Sequence, residues 1–500
     1  MTGNKKLLGL VMALLLGAGS YAAQGAVMPA MANAAAKASA VQSSQAGTKP
    51  VAAANATAKV NAKELKAIRV GNTDKAVRLV MDLTRKMEYT VTRENDGRRL
   101  VVTVNGVSTA IKSAPKVKSS AIKDLIFGTY GNDTVQLIVD MPVALPTKVF
   151  ALEKPDRIII DVEKKYEKLE ESIPAQGLNY KKYVRYNSNG MLTAYVLEAD
   201  PASYKMELAL AGGNIASGRS TVKNIATDKQ AVAAVNGGYF DLDGSLIGDN
   251  RVNWQTAGTT YFNRSSLGEM PDGNWLISTS KYSGYVTFKE QGAYLSGVNC
   301  ARGENTMILY NRLFGSTTKT NEFGMEYVVQ NKKIVAINQK DSKIPADGLV
   351  LSVHGKAKDF LKNAKVGDNI EVGETFGKEF QQCKTIIGAG PELLRDGMVN
   401  VTVTSEQFPK DIAVGKAPRT AIGFTADGHY LFLVVDGRQS ISGGTTLTET
   451  AQLLQKFGAV RGINLDGGGS SELVLQGKIM NSPSDGSERR VGSAVVLLKK

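Results

Sequence analysis

The sequence predicts a multi-domain protein: an N-terminal all-β sandwich of two three-stranded units, then a C-terminal mixed α/β (α+β) domain. Three observations support this fold class. The chain has 500 residues, more than one domain usually contains. Residues 63–164 repeat a β-rich pattern, and apolar strands alternate with helical segments across residues 180–500. We expect a linker or a short solvated helix at residues 165–179, where a charged run ends at Pro174.

The first 62 residues predict export rather than a folded domain. Residues 1–34 resemble a secretory signal, with Lys5 and Lys6 before an apolar run and small residues around Ala34. The run is short for a membrane span, although an uncleaved anchor is an alternative. Residues 35–62 are nearly all small or polar, which predicts a flexible spacer. We expect an exported protein, periplasmic or associated with the cell wall, without a transmembrane segment after signal cleavage.

The net charge indicates which kind of partner the protein binds, and the two cysteines leave a disulfide open. The formal net charge is +14, which for an exported protein favours an anionic cell-wall or capsular glycopolymer over nucleic acid. A basic surface without a dedicated partner is an equal alternative. Cys300 and Cys383 are the only cysteines of the sequence. Export permits a disulfide between them, two buried free thiols remain the alternative, and their spacing fits no zinc motif.

Residues 63–164 contain an internal repeat with an offset of 57 or 58 residues. Three pairs of segments correspond: 65–68 with 122–125, 77–82 with 135–140, and 98–104 with 156–162. Each copy has three β-rich runs, so two three-stranded units can bury their apolar faces on each other. Histidine and cysteine are absent here and the acids fall at strand ends. We therefore interpret the repeat as a binding module.

The repeat resembles the AMIN domain, a β module of exported cell-envelope proteins. The resemblance rests on the diffuse strand pattern of both copies rather than on a short motif. It implies localisation to the envelope, with peptidoglycan as the partner of this module.

The C-terminal domain is organised around residues 461–475, in which Asp466 ends an apolar strand and precedes Gly467, Gly468, Gly469 and Ser470. Three glycines in a row cost backbone entropy on folding, so a stable domain keeps them where the backbone approaches something closely. Amides in such a loop can bind an anion, while the acid supplies a charge or a base. A tight glycine-rich turn is the alternative.

The residues before this loop predict a second acid beside it. An apolar strand, residues 430–435, ends at Asp436, and a helix with a capping box at Thr446 and Glu449 follows as far as Gly458. Strand, helix and strand over this length predict a βαβ unit with parallel strands. Because parallel strands end at one edge of a sheet, we expect Asp436 and Asp466 on the same side.

The same order, a short strand followed by glycine and a polar side chain, recurs in the C-terminal domain. Loops at strand ends are where sites are built on rigid scaffolds. The candidate substrate-binding residues are Asn236, Gly237, Gly238, His354, Arg419, Arg438, Gly467, Gly468, Gly469 and Ser470. The candidate catalytic residues are Asp466, Glu392 and Asp436.

Each candidate has a chemical reason and a simpler alternative. Two carboxylates are the minimal equipment for glycosidic hydrolysis, but the Asp-Gly pairs of this domain also suit turns. The guanidinium forks of Arg419 and Arg438 match phosphate oxygens. Asn236 suits a sugar hydroxyl, a metal ion or a capped turn. His354 follows a strand and could line the site.

Other classes of site fit less well. The triple glycine lacks the lysine and hydroxyl residue of a nucleotide P-loop. Ser470 lacks the Gly-x-Ser-x-Gly elbow of a serine hydrolase. The sequence contains no EF-hand loop, yet the carboxylates leave a divalent cation, Ca²⁺ or Mg²⁺, open as a cofactor.

Five motifs in order resemble the phosphodiester glycosidase family, which includes the N-acetylglucosamine-1-phosphodiester alpha-N-acetylglucosaminidase and exopolysaccharide-related proteins. They are Val235-Asn-Gly-Gly-Tyr-Phe240, Gly390-Pro-Glu-Leu-Leu394, Pro418-Arg-Thr-Ala-Ile-Gly423, Val435-Asp-Gly-Arg438 and Asn464-Leu-Asp-Gly-Gly-Gly-Ser-Ser471. The resemblance implies hydrolysis of the C1–O bond in a sugar-1-phosphodiester. It carries over Asp466, Glu392, Arg419, Asp436, Asn236 and His354 without assigning a role to each.

Three functions stay open at this point. The first is an exported hydrolase cutting sugar-1-phosphodiester linkages in envelope or exopolysaccharide polymers. The second is a non-catalytic envelope protein that only binds glycans. The third is a metal-dependent phosphodiesterase that cuts the P–O bond instead. Intact acids at the strand ends favour the first.

Overall fold

The computed structural model describes residues 62–131, 133–259 and 262–500. The predicted signal peptide, residues 1–34, lies outside the described residues, as does the predicted spacer up to residue 61. No helix of the described ranges is long and apolar enough to cross a membrane.

The repeat region is a sandwich of two antiparallel-rich sheets. Its strands are β1 (Glu64–Asn72), β2 (Ala76–Leu83), β3 (Tyr89–Glu94), β4 (Arg99–Asn105), β5 (Ser108–Thr109), β6 (Asp124–Tyr130), β7 (Thr134–Asp140), β8 (Thr147–Leu152) and β9 (Arg157–Glu163). One sheet has the order β5-β1-β2-β9-β8 and the other β3-β4-β7-β6. The apolar faces of both sheets form one buried cluster.

The prediction of two three-stranded units is wrong in its detail. Each repeat supplies four main strands, arranged as one hairpin in each sheet, so the two copies interleave. The missed strands are β3 and β8, whose residues are mostly exposed or half-buried. An edge strand with little buried surface has no apolar alternation to show in the sequence.

The predicted linker at residues 165–179 is also wrong. Residues 166–175 form β10 (Tyr166–Ala175), which pairs with β11 (Leu178–Asn187) as a long antiparallel hairpin. Tyr186 on β11 belongs to the buried cluster of the repeat region. The side chains of β10 are mostly exposed and charged, so the sequence shows no apolar pattern of a strand. The segment joins the sheet through its backbone hydrogen bonds.

The first part of the C-terminal region contains seven strands and one helix. These are β12 (Gly190–Ala199), β13 (Tyr204–Leu210), α1 (Val222–Asp228), β14 (Ala233–Asn236), β15 (Asn250–Val252), β16 (Gln255–Gly258), β17 (Ser265–Glu269) and β18 (Trp275–Thr279). Thr221 caps α1 by accepting a hydrogen bond from the Asn224 N–H.

Residues 283–375 form an inserted β region with its own apolar core. Its elements are β19 (Ser283–Phe288), β20 (Gln291–Tyr294), β21 (Gly297–Val298), β22 (Met307–Tyr310), β23 (Gly324–Gln330), β24 (Lys333–Asn338), β25 (Gly348–His354), α2 (Lys358–Leu361) and β26 (Glu371–Thr375). They make a three-stranded sheet, β20-β19-β26, and a five-stranded sheet, β21-β22-β25-β23-β24.

The last part carries most of the site motifs. Its elements are β27 (Thr385–Gly388), β28 (Glu392–Arg395), β29 (Met398–Val399), α3 (Lys410–Ala413), β30 (Arg419–Thr425), β31 (Tyr430–Val435), α4 (Leu447–Lys456), β32 (Ala459–Asn464), β33 (Leu473–Leu475), β34 (Lys478–Ile479) and β35 (Ser493–Lys499). The predicted capping box of α4 is present: Thr446 and Glu449 bond each other's backbone N–H groups.

Three sheets enclose the main core of the C-terminal region. Their orders are β10-β11-β12-β31-β30-β32-β28-β29, β13-β35-β14-β33-β34 and β16-β15-β27-β17-β18. Apolar side chains from all three meet in one cluster, and α4 covers the opposite face of the eight-stranded sheet through Leu447, Ala451 and Leu454. The region is thus mostly β with few helices.

The eight-stranded sheet brings the two predicted acids to one edge. β31 and β32 each pair with β30 in the antiparallel sense, so they run parallel to each other. The predicted direction of the two strands is therefore confirmed, but β30 separates them. Two strand spacings put the backbones at Asp436 and Asp466 about 10 Å apart.

Both cysteines are free thiols. Cys383 is buried with its Sγ 3.7 Å from the Met270 Sδ, whereas Cys300 packs against a different cluster in the inserted region. Of the two alternatives that the sequence left open, the structure supports the unpaired one.

Candidate active site

Residues 466–470 form a loop, called the Asp466 loop, that Asn236 holds through hydrogen bonds. The Asn236 side chain, at the end of β14, is fully buried. Its Nδ2 donates to the Asp466 carbonyl at 2.8 Å and to the Gly237 carbonyl, while its Oδ1 accepts from the Thr420 hydroxyl at 2.7 Å and from the Glu472 N–H. These four bonds use the whole capacity of the amide. Asn236 therefore positions the loop rather than facing a ligand.

The glycines beside Asn236 and Asp466 are required by close approach. A Cβ at Gly238 would overlap the Gly388 carbonyl, and one at Gly237 would overlap the Ser493 side chain. A Cβ at Gly469 would overlap the carboxylate of Asp485 and the guanidinium of Arg489. Gly468 has φ +64°, a conformation that other residues rarely adopt.

Asp466 is the first residue of this loop. Its Oδ1 accepts a hydrogen bond from the Gly467 N–H at 2.9 Å. Burial raises the pKa of the Asp466 carboxyl, while Ser470, the Gly467 N–H and the charge of Arg489 oppose the shift. A carboxyl with a raised pKa beside a glycine-rich loop has the properties of a general base or acid.

Arg419 is buried next to this loop. Its Nε donates to the Thr445 carbonyl at 3.2 Å, and its Nη2 donates to the carbonyls of Ile412 and Gly415 at 3.1 and 3.3 Å. Within the described ranges, Arg419 has no carboxylate partner, and burial lowers its pKa. A buried guanidinium without a counter-ion is the electrostatic signature of an anion site.

Arg438 adds a second cation at the other side of the loop. Its guanidinium lies against Gly468: a Cβ added to that glycine would be 3.3 Å from the Arg438 Nη1. The Arg438 side chain is exposed, and its backbone has φ +60°, a strained conformation for arginine. The charge of Arg438 also lowers the pKa of Arg419, so the two cations are close enough to repel each other.

Asp436 is buried in a different way. Its Oδ2 accepts from the Tyr195 hydroxyl at 3.0 Å, and its Oδ1 accepts from the Ser482 N–H at 2.9 Å and from Asn481. Burial raises the pKa of Asp436, and these donors oppose the shift. Asp436 thereby anchors residues 481 and 482 to the end of β31.

Glu392 is committed to a salt bridge. Both of its carboxylate oxygens accept hydrogen bonds from Arg395, the Oε1 at 3.0 Å from Nε, and Asn400 donates to its Oε2. The Glu392 side chain is buried and the Arg395 side chain is mostly exposed. The described contacts do not join this carboxylate to Asp466, although both residues lie on neighbouring strands.

His354 lies in the inserted region at the end of β25. The His354 ring is 6.5 Å from that of Phe323, and the His354 backbone N–H donates to the Thr306 carbonyl. The described contacts do not bring His354 to the Asp466 loop.

Tyr239 belongs to the site, although the sequence analysis did not single it out. Its hydroxyl donates to the Gly390 carbonyl at 2.9 Å and accepts from Asn464 at 3.1 Å. Burial and the charge of Asp466 raise the pKa of Tyr239, whereas Asn464 and the charge of Arg419 oppose the shift. Tyr239 thus lies among the groups that surround Asp466.

A strap, defined as residues 481–489, crosses the loop and was also missed. It contacts Asp436 through Asn481 and Ser482, and it approaches Gly469 through Asp485 and Arg489. Arg489 is paired with Asp485 through its Nε at 2.8 Å. The strap has neither strand nor helix periodicity, so the sequence offered no signal beyond a local run of charges.

The strap also brings Glu488 against the buried Glu472. Burial, and then the neighbouring Glu488 carboxyl, raise the pKa of Glu472 to about 8, and Lys223 opposes the shift. The folded protein therefore holds a proton between about pH 4.5 and pH 8 that the unfolded chain releases. The stability from this pair is complete at low pH and is lost as the pH rises towards 8.

We expect Glu488→Gln to stabilise the protein at pH 8.5 by about 1–3 kcal/mol, since it removes a like charge beside an unsatisfied buried carboxyl. Urea denaturation at pH 5 and pH 8.5 measures this, and the gain should vanish at pH 5. Glu322→Gln, at an exposed acid, is the control and should change neither value. An equal gain at both pH values would contradict the assignment.

The described ranges contain no group of three or more His, Cys, Asp or Glu side chains arranged to hold a metal ion. The carboxylates of the site are instead occupied by hydrogen-bond donors and arginines.

Comparisons with known proteins identify the two parts of the chain. Residues 67–144 match the family model of the AMIN domain, and residues 311–498 match that of the phosphodiester glycosidase. The chain carries an AMIN domain and a phosphodiester glycosidase domain. The match to the glycosidase family begins after Asn236, and β14 shares its sheet with β33 and β35, which lie inside the matched range.

Individual relatives match over short segments. The chain is 43% identical over 76 residues to an SPbeta prophage-derived uncharacterized protein of Bacillus subtilis, covering 15% of this chain and 12% of that protein. It is 46% identical over 67 residues to the N-acetylglucosamine-1-phosphodiester alpha-N-acetylglucosaminidase of Bos taurus, covering 13% of this chain and 12% of that enzyme. The matched segments thus span about an eighth of the length of these relatives.

A solved structure shares the fold over most of the chain. It is a hypothetical protein from Synechocystis, 22% identical, with a TM-score of 0.60 and coverage of 88% of this chain and 81% of that one. At this identity the likeness concerns the fold alone.

Proposed function

We propose that this protein is an exported hydrolase that cleaves sugar-1-phosphodiester linkages, of the N-acetylglucosamine-1-phosphate type, in cell-envelope or exopolysaccharide polymers. One observation carries the proposal. The half-buried Asp466, whose pKa is raised, lies in a glycine-rich loop beside Arg419, a buried cation with no carboxylate partner in the described ranges. An anionic group on the substrate would neutralise Arg419 and put the linked sugar next to Asp466.

In the proposed reaction, Arg419 and Arg438 bind the phosphate. Their guanidinium groups stabilise the negative charge that develops on the leaving phosphate as the C1–O bond breaks. Water forms the new bond to C1, and Asp466 accepts its proton. The products are the free sugar and a phosphate monoester. A phosphate is a good leaving group, so stabilising its charge matters more than protonating it.

In this proposal, Asp436 and Glu392 position neighbouring segments and do not react with the substrate. Asp436 holds the start of the strap through Asn481 and Ser482, and thereby keeps Arg489 near Asp466. Glu392, bonded to Arg395 and Asn400, holds together the two sides of the turn that follows β28. We therefore assign the reacting carboxylate to Asp466 and not to Glu392 or Asp436.

We further propose that the AMIN domain binds peptidoglycan and so keeps the enzyme at the envelope. The predicted signal peptide and the basic charge support this location. The bond between Tyr186 and the Ser120 carbonyl supports a firm connection between the AMIN and glycosidase domains. An anionic glycopolymer held near the cell wall is then the substrate.

Turnover of N-acetylglucosamine-1-phospho-methyl ester in ¹⁸O-labelled water tests the proposal. We expect N-acetylglucosamine and methyl phosphate as products, with the label in the sugar. A label in methyl phosphate would instead identify a phosphodiesterase that cuts the P–O bond. Binding of the ester without turnover, with or without added Ca²⁺ or Mg²⁺, would identify a glycan-binding protein.

A further inference from the structure

Arg264 is a third cation beside the site, and it lies between two aromatic rings. Its guanidinium carbon is 4.1 Å from the ring centre of Phe408 and 4.8 Å from that of Phe262. Such stacking holds the planar group in one orientation while leaving its edges available for hydrogen bonds. Arg264 precedes β17 directly, so its backbone is anchored to a sheet.

In the described part of the chain, Arg264 makes no hydrogen bond to a carboxylate, although burial lowers its pKa and the nearby charge of Glu406 opposes the shift. Its Nε donates to the Glu406 carbonyl at 3.4 Å, a long bond. The Glu406 carboxylate is used elsewhere: it accepts from the Ser265 N–H at 2.9 Å, from the Ser265 hydroxyl at 2.6 Å and from the Glu392 N–H. Within the described ranges, Arg264 therefore has no carboxylate partner.

Arg264 borders the same space as Asp466. The Tyr239 ring lies 5.6 Å from that of Phe408, against which Arg264 stacks. The charges of Asp466, Arg419 and Arg264 all act on the Tyr239 hydroxyl, which places the three groups around one side chain.

Arg251 also stacks on an aromatic ring, and its hydrogen bonds give it a structural role. Arg251 lies 4.4 Å from the ring centre of Phe376, and its Nη1 donates to the carbonyls of Cys383 at 3.1 Å and Gln381 at 3.4 Å. Those bonds tie two segments together in the interior. The terminal nitrogens of Arg264 make no such bonds in the described ranges, so its fork remains free for a ligand.

The site has more arginines than one phosphodiester needs. A phosphodiester carries a single negative charge, and Arg419 with Arg438 already provides two cations that repel each other. Arg489 forms an ion pair with Asp485. Arg264 makes no such ion pair in the described ranges, and a cation with free donors at a binding site matches an additional anionic group.

We propose that Arg264, held between Phe262 and Phe408, is a specificity-determining residue that binds a second phosphate of the substrate, carried by the unit next to the scissile linkage. The proposal rests on the proposed function and deepens it. The substrate class becomes a polymer with a phosphodiester at successive units, rather than a glycan with an isolated sugar phosphate.

Two substrates that differ by one methyl phosphate test the inference with the full-length protein. Both contain N-acetylglucosamine-1-phosphate esterified to glycerol, and in one of them the glycerol also bears a methyl phosphate. We expect wild-type protein to prefer the second by about tenfold in kcat/KM, the effect of one charge-assisted hydrogen bond. Arg264→Gln should reduce the ratio to about one, while Arg264→Lys should keep part of it.

Arg461→Gln is the matched control. Arg461 also stacks on a phenylalanine, 5.5 Å from the Phe424 ring centre, but at the opposite end of β32 from Asp466. It should leave the preference unchanged. Equal kcat/KM for both substrates in the wild type, or an undiminished preference in Arg264→Gln, would overturn the inference while leaving the proposed hydrolysis intact.

A binding experiment separates the two proposals if neither substrate is hydrolysed. Glycerol bis(methyl phosphate), which contains both phosphates and no sugar, is titrated calorimetrically into wild type, Arg264→Gln and Arg461→Gln. We expect about tenfold weaker binding to Arg264→Gln alone. No turnover together with this result would reject the hydrolase and keep the subsite, whereas equal affinity of wild type and Arg264→Gln would reject the subsite.

Discussion

Asp466→Asn is expected to lower kcat for N-acetylglucosamine-1-phospho-methyl ester by about a thousandfold. Asparagine has nearly the same shape but cannot accept a proton from water, and loss of a general base usually costs 10²–10⁴ in rate. The Gly467 N–H can still donate to the side-chain oxygen, so the loop should keep its conformation. Steady-state kinetics with the purified variant measure the effect.

Stability distinguishes a catalytic effect of Asp466→Asn from damage to the fold. Burial raises the pKa of Asp466, so above its pKa the charged carboxylate is unfavourable in the folded state. The neutral variant should therefore unfold at the same urea concentration as the wild type at pH 7, or at a higher one. A large loss of stability would show that Asp466 acts structurally instead.

Glu392→Gln is the control for this prediction. Glutamine loses the ionic bond to the exposed Arg395, which should cost about 1 kcal/mol of stability, but we expect kcat to change less than fivefold. If Glu392→Gln abolished turnover and Asp466→Asn did not, the assignment of the reacting carboxylate would be reversed.

Arg419→Gln is expected to lower kcat/KM by 10²–10³-fold. Removing one donor that stabilises charge in a transition state typically costs about this much. Arg419→Lys should recover little of the loss, because an ammonium cannot reproduce the fork that donates to three carbonyls and still faces an anion. Kinetics with the same methyl ester measure both variants.

Arg438→Gln is the matched comparison, because Arg438 borders the same loop but is exposed to solvent. Its loss should cost about tenfold, since solvent screens its charge. Arg419 also supports the chain around Gly415, so the free energy of unfolding has to be measured alongside. Binding of methyl phosphate that is equally tight in Arg419→Gln and wild type would contradict an anion site there.

Local signals in the sequence were sufficient for several elements. The capping box at Thr446 and Glu449 correctly predicts where α4 begins, because both partners of a capping box lie within one helical turn. The parallel directions of β31 and β32 follow from the helix between them.

The repeat was recognised, but its arrangement in space was not. The offset of 57 or 58 residues identifies two copies, whereas the division of each copy between two sheets depends on which hairpins pair. Pairing is decided by contacts such as those of β2 with β9, whose residues are about 80 positions apart. Such contacts leave no trace in the local pattern of either strand.

The candidate site was likewise predicted only in part from the sequence. The predicted loop residues Asp466, Arg419 and Arg438 lie together, since each closely precedes or follows a strand of one sheet. Glu392 sits on that sheet too, but its carboxylate is paired with Arg395, which is only three residues away in sequence. His354 follows a strand of the inserted region, and the strand pattern alone could not tell the two regions apart.

The sequence was enough to predict a basic, multi-domain chain with a glycine-rich loop and an acid at its start, because these features depend on composition and on neighbours along the chain. Only the tertiary structure decided which charges lack partners. Arg264 looks like an ordinary arginine in the sequence, and Glu392 looks like a catalytic acid. Their roles depend on burial and on the groups that long-range strand pairing brings within hydrogen-bond distance.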